Sequence, residues 1–241
     1  MNKTSRLIKI IIQIIILTVL VGGLAFYFYN DYQKSKIIKD SKSEIINQII
    51  TLKIVRDDLD QRKINRYRKA FEVQTKKFLA DPQSAEAFWA LIKIEQIKQL
   101  VGDYQGAEQA LLWAVKLQPK SYLAHGNLAN LYFHHFKDFA KAEEHYLKAI
   151  ESNNPKTLSY YLDLHQLYRY FYKQDTNLAE EILKQGITKY PQTTDLMLVL
   201  ADYYRSLDRN QEAIEYYQKV LKINPQSQVA KKGLEDLKKI E

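Results

Sequence analysis

The sequence predicts an all-α chain, a series of stacked helical hairpins behind a single membrane-spanning helix. Three observations carry this expectation. Gly and Pro are scarce, 7 and 5 in 241 residues, against a hydrophobic content of 46%. That is too little turn chemistry for a protein of many short strands. One spacing of small, bulky and proline residues recurs along the C-terminal two-thirds. Residues 10–29, "IIIQIIILTVLVGGLAFYFY", run without a charge.

The apolar run comes first. Twenty helical residues at about 1.5 Å each span a hydrocarbon core of roughly 30 Å, and the rings of "FYFY" at 26–29 would sit at the far interface. A cleaved signal peptide is the alternative: "MNKTSRLIK" is a basic leader, and "GLA" at 23–25 offers small residues to a peptidase. The chain has no Cys, which excludes disulfides, thiolate metal sites, a Cys nucleophile and the lipoprotein route. The formal charge of +8 is concentrated in residues 1–77, and the remainder is close to neutral. Such a basic neck suits anionic headgroups; no nucleic-acid-reading motif accompanies it. The short basic N-terminus places residues 30–241 on the extracytoplasmic side of a single-pass protein.

The recurring pattern is clearest in second-helix segments. "GDYQGAEQALLWAVKLQP" (102–119) aligns with segments ending at Pro155, Pro191 and Pro225, so the prolines from Pro119 onward lie 36, 36 and 34 residues apart. Small residues align at Ala107, Ala142, Ala179 and Ala213, and again at Ala114, Ala149, Gly186 and Val220. Between them stand Leu111, Tyr146, Leu183 and Tyr217. A small residue lets two helices approach, and a large one four positions on fills the space beside the crossing. Proline then ends the helix and turns the chain. Trp113 is outside the pattern, since Lys148, Gln185 and Lys219 stand in its place elsewhere. It packs on whatever precedes the array or marks an outer-face contact.

This pattern resembles the tetratricopeptide repeat, a helix–turn–helix unit of about 34 residues. First-helix positions follow it in Met197, Leu200, Ala201 and Tyr204, in His125, Leu128, Ala129 and Tyr132, and in Tyr161, Leu164, His165 and Tyr168. The earliest unit has Leu91, Ile94, Glu95 and Lys98, of which the last two depart. Extra residues near "HHFKDF" and "YKQDTN" are expected in the turns between paired helices. The resemblance implies a right-handed superhelix, an α-solenoid. The expected organisation is a basic tail (1–9), a transmembrane helix (10–29), a helical neck (30–83), repeats at 84–121, 122–156, 157–192 and 193–226, and a capping helix (227–241). Within the neck, 67–82 reads either as a degenerate second helix, with Ala70 at the small position, or as part of a stalk.

Chemistry is absent from the motifs. There is no phosphate loop, nucleophile elbow or His-Glu-x-x-His. The five histidines read as packing or surface residues, and the pairs Glu143–Glu144 and Glu180–Glu181 as solvated faces. No enzyme activity, metal or cofactor is expected. The resemblance implies a concave groove lined by first helices that holds a peptide or partner helix. Carried over position by position, the groove would present Trp89, Ile92, Gln96 and Gln99, then Asn127, Asn130, Phe133 and His134, then Gln166, Arg169 and Tyr170, and finally Asp202 and Arg205. Gly126, Ser159 and Asp163 stand where the chaperone-tail clamp of some members would need paired basic residues, so no such clamp is expected. The sequence therefore points to a membrane-anchored scaffold that binds another protein. A soluble exported protein and a self-associating module are the alternatives, and the partner is unidentified. Bacterial relatives of this layout attend envelope assembly, secretion or polysaccharide export.

Overall fold

The computed structural model describes Lys39, residues 42–152 and residues 154–238. The chain divides into two compact units, Met1–Thr51 and Leu52–Glu241. In the first, residues 42–50 are helical (α1). Among the described residues no helix is long and apolar enough to cross a membrane. The predicted span at 10–29 and its orientation lie outside the described residues.

The second unit is an all-helical solenoid, with no strand among its described residues. Its helices are α2 (Gln61–Ala80), α3 (Ala85–Leu100), α4 (Tyr104–Leu117), α5 (Tyr122–Leu131), α6 (Phe139–Glu151), α7 (Leu158–Tyr170), α8 (Leu178–Lys189), α9 (Thr194–Arg205), α10 (Asn210–Ile223) and α11 (Gln228–Lys238). Five early starts are set by side-chain caps. Asp60, Ser84, Asp103, Ser121 and Asp138 each accept the backbone N–H three residues on. The helices pair as hairpins α3–α4, α5–α6, α7–α8 and α9–α10, and each second helix also packs on the next first helix.

The small residues sit in these crossings. Ala107, Ala114, Ala142, Ala149, Ala201 and Ala213 are fully buried, and Ala179 is nearly so. Gly186 is buried as well, where a Cβ would lie 2.6 Å from Leu196 Cδ1 and 2.9 Å from the Tyr161 ring. Pro119, Pro191 and Pro225 follow the ends of α4, α8 and α10, and Pro155 opens a short 3₁₀ turn, Pro155–Thr157, leading into α7. The turns inside the hairpins share a device. Gly102, Lys137, Lys173 and Asp208 all take the left-handed conformation, with φ of 83°, 55°, 57° and 57°. The extra residue of the second hairpin lies within the helix rather than the turn, as a π-helical stretch at Tyr132–Phe136.

Two of the carboxylates read from sequence as solvated are structural. Tyr132 donates to Glu108 (2.6 Å), Tyr168 to Glu143 (2.7 Å) and Tyr204 to Glu180 (2.8 Å). Each bond joins a first helix to the second helix of the preceding hairpin. A cation completes two of them: Lys173 reaches both oxygens of Glu143 at 2.7 Å, and Arg209 reaches Glu180 at 2.6 Å. Glu144 and Glu181 remain exposed.

At the front, α2 packs on α3 as a second helix would, burying Phe71 and Phe78. Phe71 aligns with Glu108, Glu143 and Glu180, and Lys98 with the three tyrosines. The Lys98 ammonium lies 5.3 Å from the Phe71 ring centroid, so the latch recurs here with both partners exchanged. Ala70, expected at a crossing, is exposed. Trp113 is 5% exposed, meets Phe78 edge-on at 5.8 Å and donates Nε1–H to the Pro82 carbonyl at 3.2 Å. It therefore packs on the element before the array. Residues 51–60 are not helical, which corrects the expectation of a continuous helical neck. Instead Val55 N and Arg56 N donate to the Val101 carbonyl at 2.9 and 3.1 Å, tying this strap to the α3–α4 turn. At the far end α11 buries Ala230, Gly233 and Leu237 while Val229, expected on its apolar face, is 54% exposed.

Candidate functional site

The predicted groove residues fall into three groups. Trp89 and Tyr170 are 58% and 53% exposed, and Gln96, His134 and Gln166 are exposed too. Gln99, Asn127, Asn130, Arg169, Asp202 and Arg205 are half-buried. Ile92 and Phe133 are buried, at 3% each, and present nothing to a partner. Phe133 sits instead in a cluster with Phe139 and Phe171, at centroid distances of 6.0 and 5.2 Å.

Polar links run from one first helix to the next. Glu95 on α3 accepts from Asn127 of α5 at 2.5 Å and from Gln99 at 2.7 Å. Burial pushes its carboxyl up to about 7 against these two donors. Arg169 of α7 donates to Ser206 Oγ at 2.9 Å and lies over the rings of Tyr170 (4.9 Å) and Tyr203 (5.1 Å). Arg205 of α9 pairs with Asp202 at 3.2 Å and with Asp236 of α11 at 3.7 Å.

An alternation underlies this face. Asn130 and Asp202 occupy equivalent positions, and each accepts the phenol of its own hairpin's second helix: Tyr146 to Asn130 at 2.6 Å, and Tyr217 to Asp202. The other two hairpins have Leu111 and Leu183 in place of the tyrosines, and there Gln96 and Gln166 stand exposed. Odd hairpins thus offer an exposed amide, Gln96 taking only a 3.3 Å contact from exposed Lys93, and even ones a side chain already held from below. The pairing of Tyr with Asn or Asp some 15 residues earlier was readable in the sequence as a correlation between the two positions.

Beneath the face lies a buried imidazole pair. His125 Nε2 is 3.0 Å from the Pro119 carbonyl, and its Nδ1 is 2.9 Å from His145 Nδ1. A carbonyl only accepts, so Nε2–H donates to it, which leaves His125 Nδ1 to accept from His145. Burial lowers both rings, and the neighbouring His125 adds to it in His145, which falls to about 4 from 6.5. Since the folded values lie below the unfolded ones, this stabilisation is complete above about pH 6.5 and is lost as pH falls toward 4. Glu95 and Asp163, both raised, push the other way, so a comparison of variants isolates the pair. The stability difference between the native chain and His145→Gln is expected to shrink by about 2 kcal/mol between about pH 7 and pH 5. A pH-independent difference in denaturant midpoints would show that the pair is not held neutral.

With this geometry in view, the comparisons place the hairpins. Residues 101–156 and 194–227 each match a family model described as tetratricopeptide repeat. Over these two stretches the chain is similar to tetratricopeptide repeats. Among solved structures, MamA matches at 21% identity over 71% of this chain and 97% of its own, with a TM-score of 0.52. A second MamA structure matches at 21% over 68% and 86%, again at 0.52. YrrB, described as a TPR protein with an unusual peptide-binding site, matches at 16% over 83% and 97%, at 0.50. At these identities the likeness is one of fold. No curated protein matches the chain in sequence. Among the described residues, no group of three His, Asp or Glu side chains is placed to hold a metal ion. Two of the clamp positions are explained by packing: Tyr160 lies against Gly126, and Asp163 is half-buried beside it on α7.

Proposed function

We propose that the first-helix face of the tetratricopeptide repeats binds an extended segment or helix of a partner protein, and that residues 10–29 hold this scaffold at a membrane with residues 30–241 outside the cytoplasm. The observation that carries the groove reading is the exposure of Trp89 and Tyr170 on first helices of an array that buries most of its other aromatic rings. Rigid exposed rings beside exposed amides supply contact area and backbone hydrogen bonds without demanding one sequence. A peptide-binding site on YrrB, a protein of the same fold, supports the same assignment. The apolar run and its aromatic end support the anchor. Held there, even a modest groove would act at raised effective concentration on neighbouring membrane partners.

The test is site-specific photo-crosslinking in intact cells. A photo-reactive residue at Gln166 or Tyr170 is expected to give one discrete adduct, and the same residue at exposed Gln185 on second helix α8 is expected to give none. Equal capture at both faces, or none at either, would sink the groove reading. Protease digestion of residues 30–241 in intact and lysed cells reads the anchor and its orientation separately.

A further inference from the structure

We propose that Asp163 is the acceptor for a cationic side chain, lysine or arginine, of the segment docking on the first-helix face between α5 and α7. This rests on the groove reading above and adds the chemistry of its occupant.

Among the described residues, every other buried or half-buried Asp or Glu is engaged by a hydrogen bond or ion pair. Glu95 takes two amides, Asp103 a lysine, Glu143 a tyrosine and a lysine, Glu180 a tyrosine and an arginine, and Asp202 a tyrosine and an arginine. Asp163 is half-buried and has neither. Burial alone raises its carboxyl, to about 6. Elsewhere the array neutralises the carboxylates it shields, so one left without a counter-charge is either a cost without return or a group whose partner arrives from outside.

Its position suits contact with an incoming cation. Asp163 lies one turn before exposed Gln166 on α7, and in repeat register it stands where α5 has Asn127. It is close enough to the phenols of Tyr146 and Tyr160 to raise both, after the larger effect of their burial. Tyr146 commits its proton to Asn130. Both rings are themselves buried, at 0% and 8% exposure, so they shield the carboxylate from beneath rather than touch an occupant. An acidic side chain at the same place would meet an uncompensated negative charge, opposite to the preference of a basic clamp.

The test uses the full chain in detergent micelles and fluorescent, end-blocked decapeptide pools whose central residue is Lys, Arg, norleucine or Glu between randomised flanks. Lys and Arg pools are expected to bind roughly tenfold more tightly than norleucine, as a charge-assisted contact should. Asp163→Asn is expected to erase that preference, and Asp163→Lys to turn it toward Glu. Asp163→Asn is also expected to keep or raise the denaturant midpoint, since it removes a shielded charge without a partner. Equal binding of all pools, weakened throughout by Tyr170→Ala, would keep the groove and overturn the role of Asp163. Failure of every pool to bind would overturn both.

Discussion

Asp103→Ala is expected to destabilise the array by about 3–5 kcal/mol, more than either Asp103→Asn or Lys98→Met. Asp103 has two tasks. Its Oδ1 accepts the Gly106 N–H at 3.0 Å and caps α4, and its Oδ2 accepts from Lys98 Nζ at 2.7 Å. Lys98 is fully buried, and burial lowers its pKa against the pull of Asp103. Alanine removes the cap, worth about 1 kcal/mol, and takes the carboxylate from a buried ammonium. Asparagine keeps an acceptor for the cap and loses the charge. Lys98→Met leaves Asp103 its cap and a slightly exposed edge, and a methionine beside Phe71 is apolar in an apolar place. The expected order of loss is therefore Asp103→Ala, then Asp103→Asn, then Lys98→Met, and Asp103→Asn with Lys98→Met together should fall below the sum of the two. Denaturant midpoints check the order. A Lys98→Met loss exceeding that of Asp103→Ala would refute the account.

The same residues show how much of the fold was legible. Ala and Pro spacing found the hairpins because close approach demands a small residue and a new direction demands a break, and both demands are local. Glu95 and Lys98 stood out as departures from the repeat, but their meaning was not local. Besides its pair with Asp103, Lys98 lies over Phe71 one unit earlier, as the tyrosines bond Glu108, Glu143 and Glu180. The separation of those pairs is nearly constant, 24, 25 and 24 residues. That regularity was the available signal for reading Glu143 and Glu180 as inter-repeat contacts.

The groove was less legible, for a geometric reason. Transferring first-helix positions assumes that every first helix runs in unbroken α geometry to its turn. The second hairpin changes to π geometry at Tyr132–Phe136, which alters the direction of the residues there. Phe133 is then found with Phe139 and Phe171, and His135 stacks on Tyr104 at 3.8 Å. Ile92 failed for a simpler reason. It belongs to a first helix buried on nearly every side, with Ala87, Phe88, Ala90, Leu91, Ile94 and Ile97 all inside. Trp89 is the exposed aromatic of that helix, and no packing position of the repeat claims it.

Gly126→Ala is expected to destabilise the protein by about 1–3 kcal/mol with Tyr160 present, and to become neutral or stabilising when Tyr160 is first replaced by Ala. In an unencumbered helix interior, Gly→Ala gains up to about 1 kcal/mol. Here a Cβ on Gly126 would lie 2.0 Å from Tyr160 Oη and 2.1 Å from Cζ. Tyr160 is only 8% exposed, with the Tyr146 ring 5.9 Å away, so it has little room to withdraw. Removing the hydroxyl alone does not help, because the ring carbon is as close as the oxygen. Tyr160→Phe should therefore leave the cost of Gly126→Ala nearly unchanged, whereas Tyr160→Ala, itself costly through the cavity it opens, should reverse its sign. A constant cost of Gly126→Ala across the three backgrounds, measured by denaturant unfolding, would rule out the contact. The pair also bears on the site. Gly126 stands where a basic clamp residue would stand, and the Tyr160 ring occupies the space such a side chain needs. Asp163 lies on the same helix as Tyr160, so the clamp positions here hold a glycine covered by a ring and a carboxylate. On the groove reading proposed above, packing as well as charge would disfavour an acidic occupant.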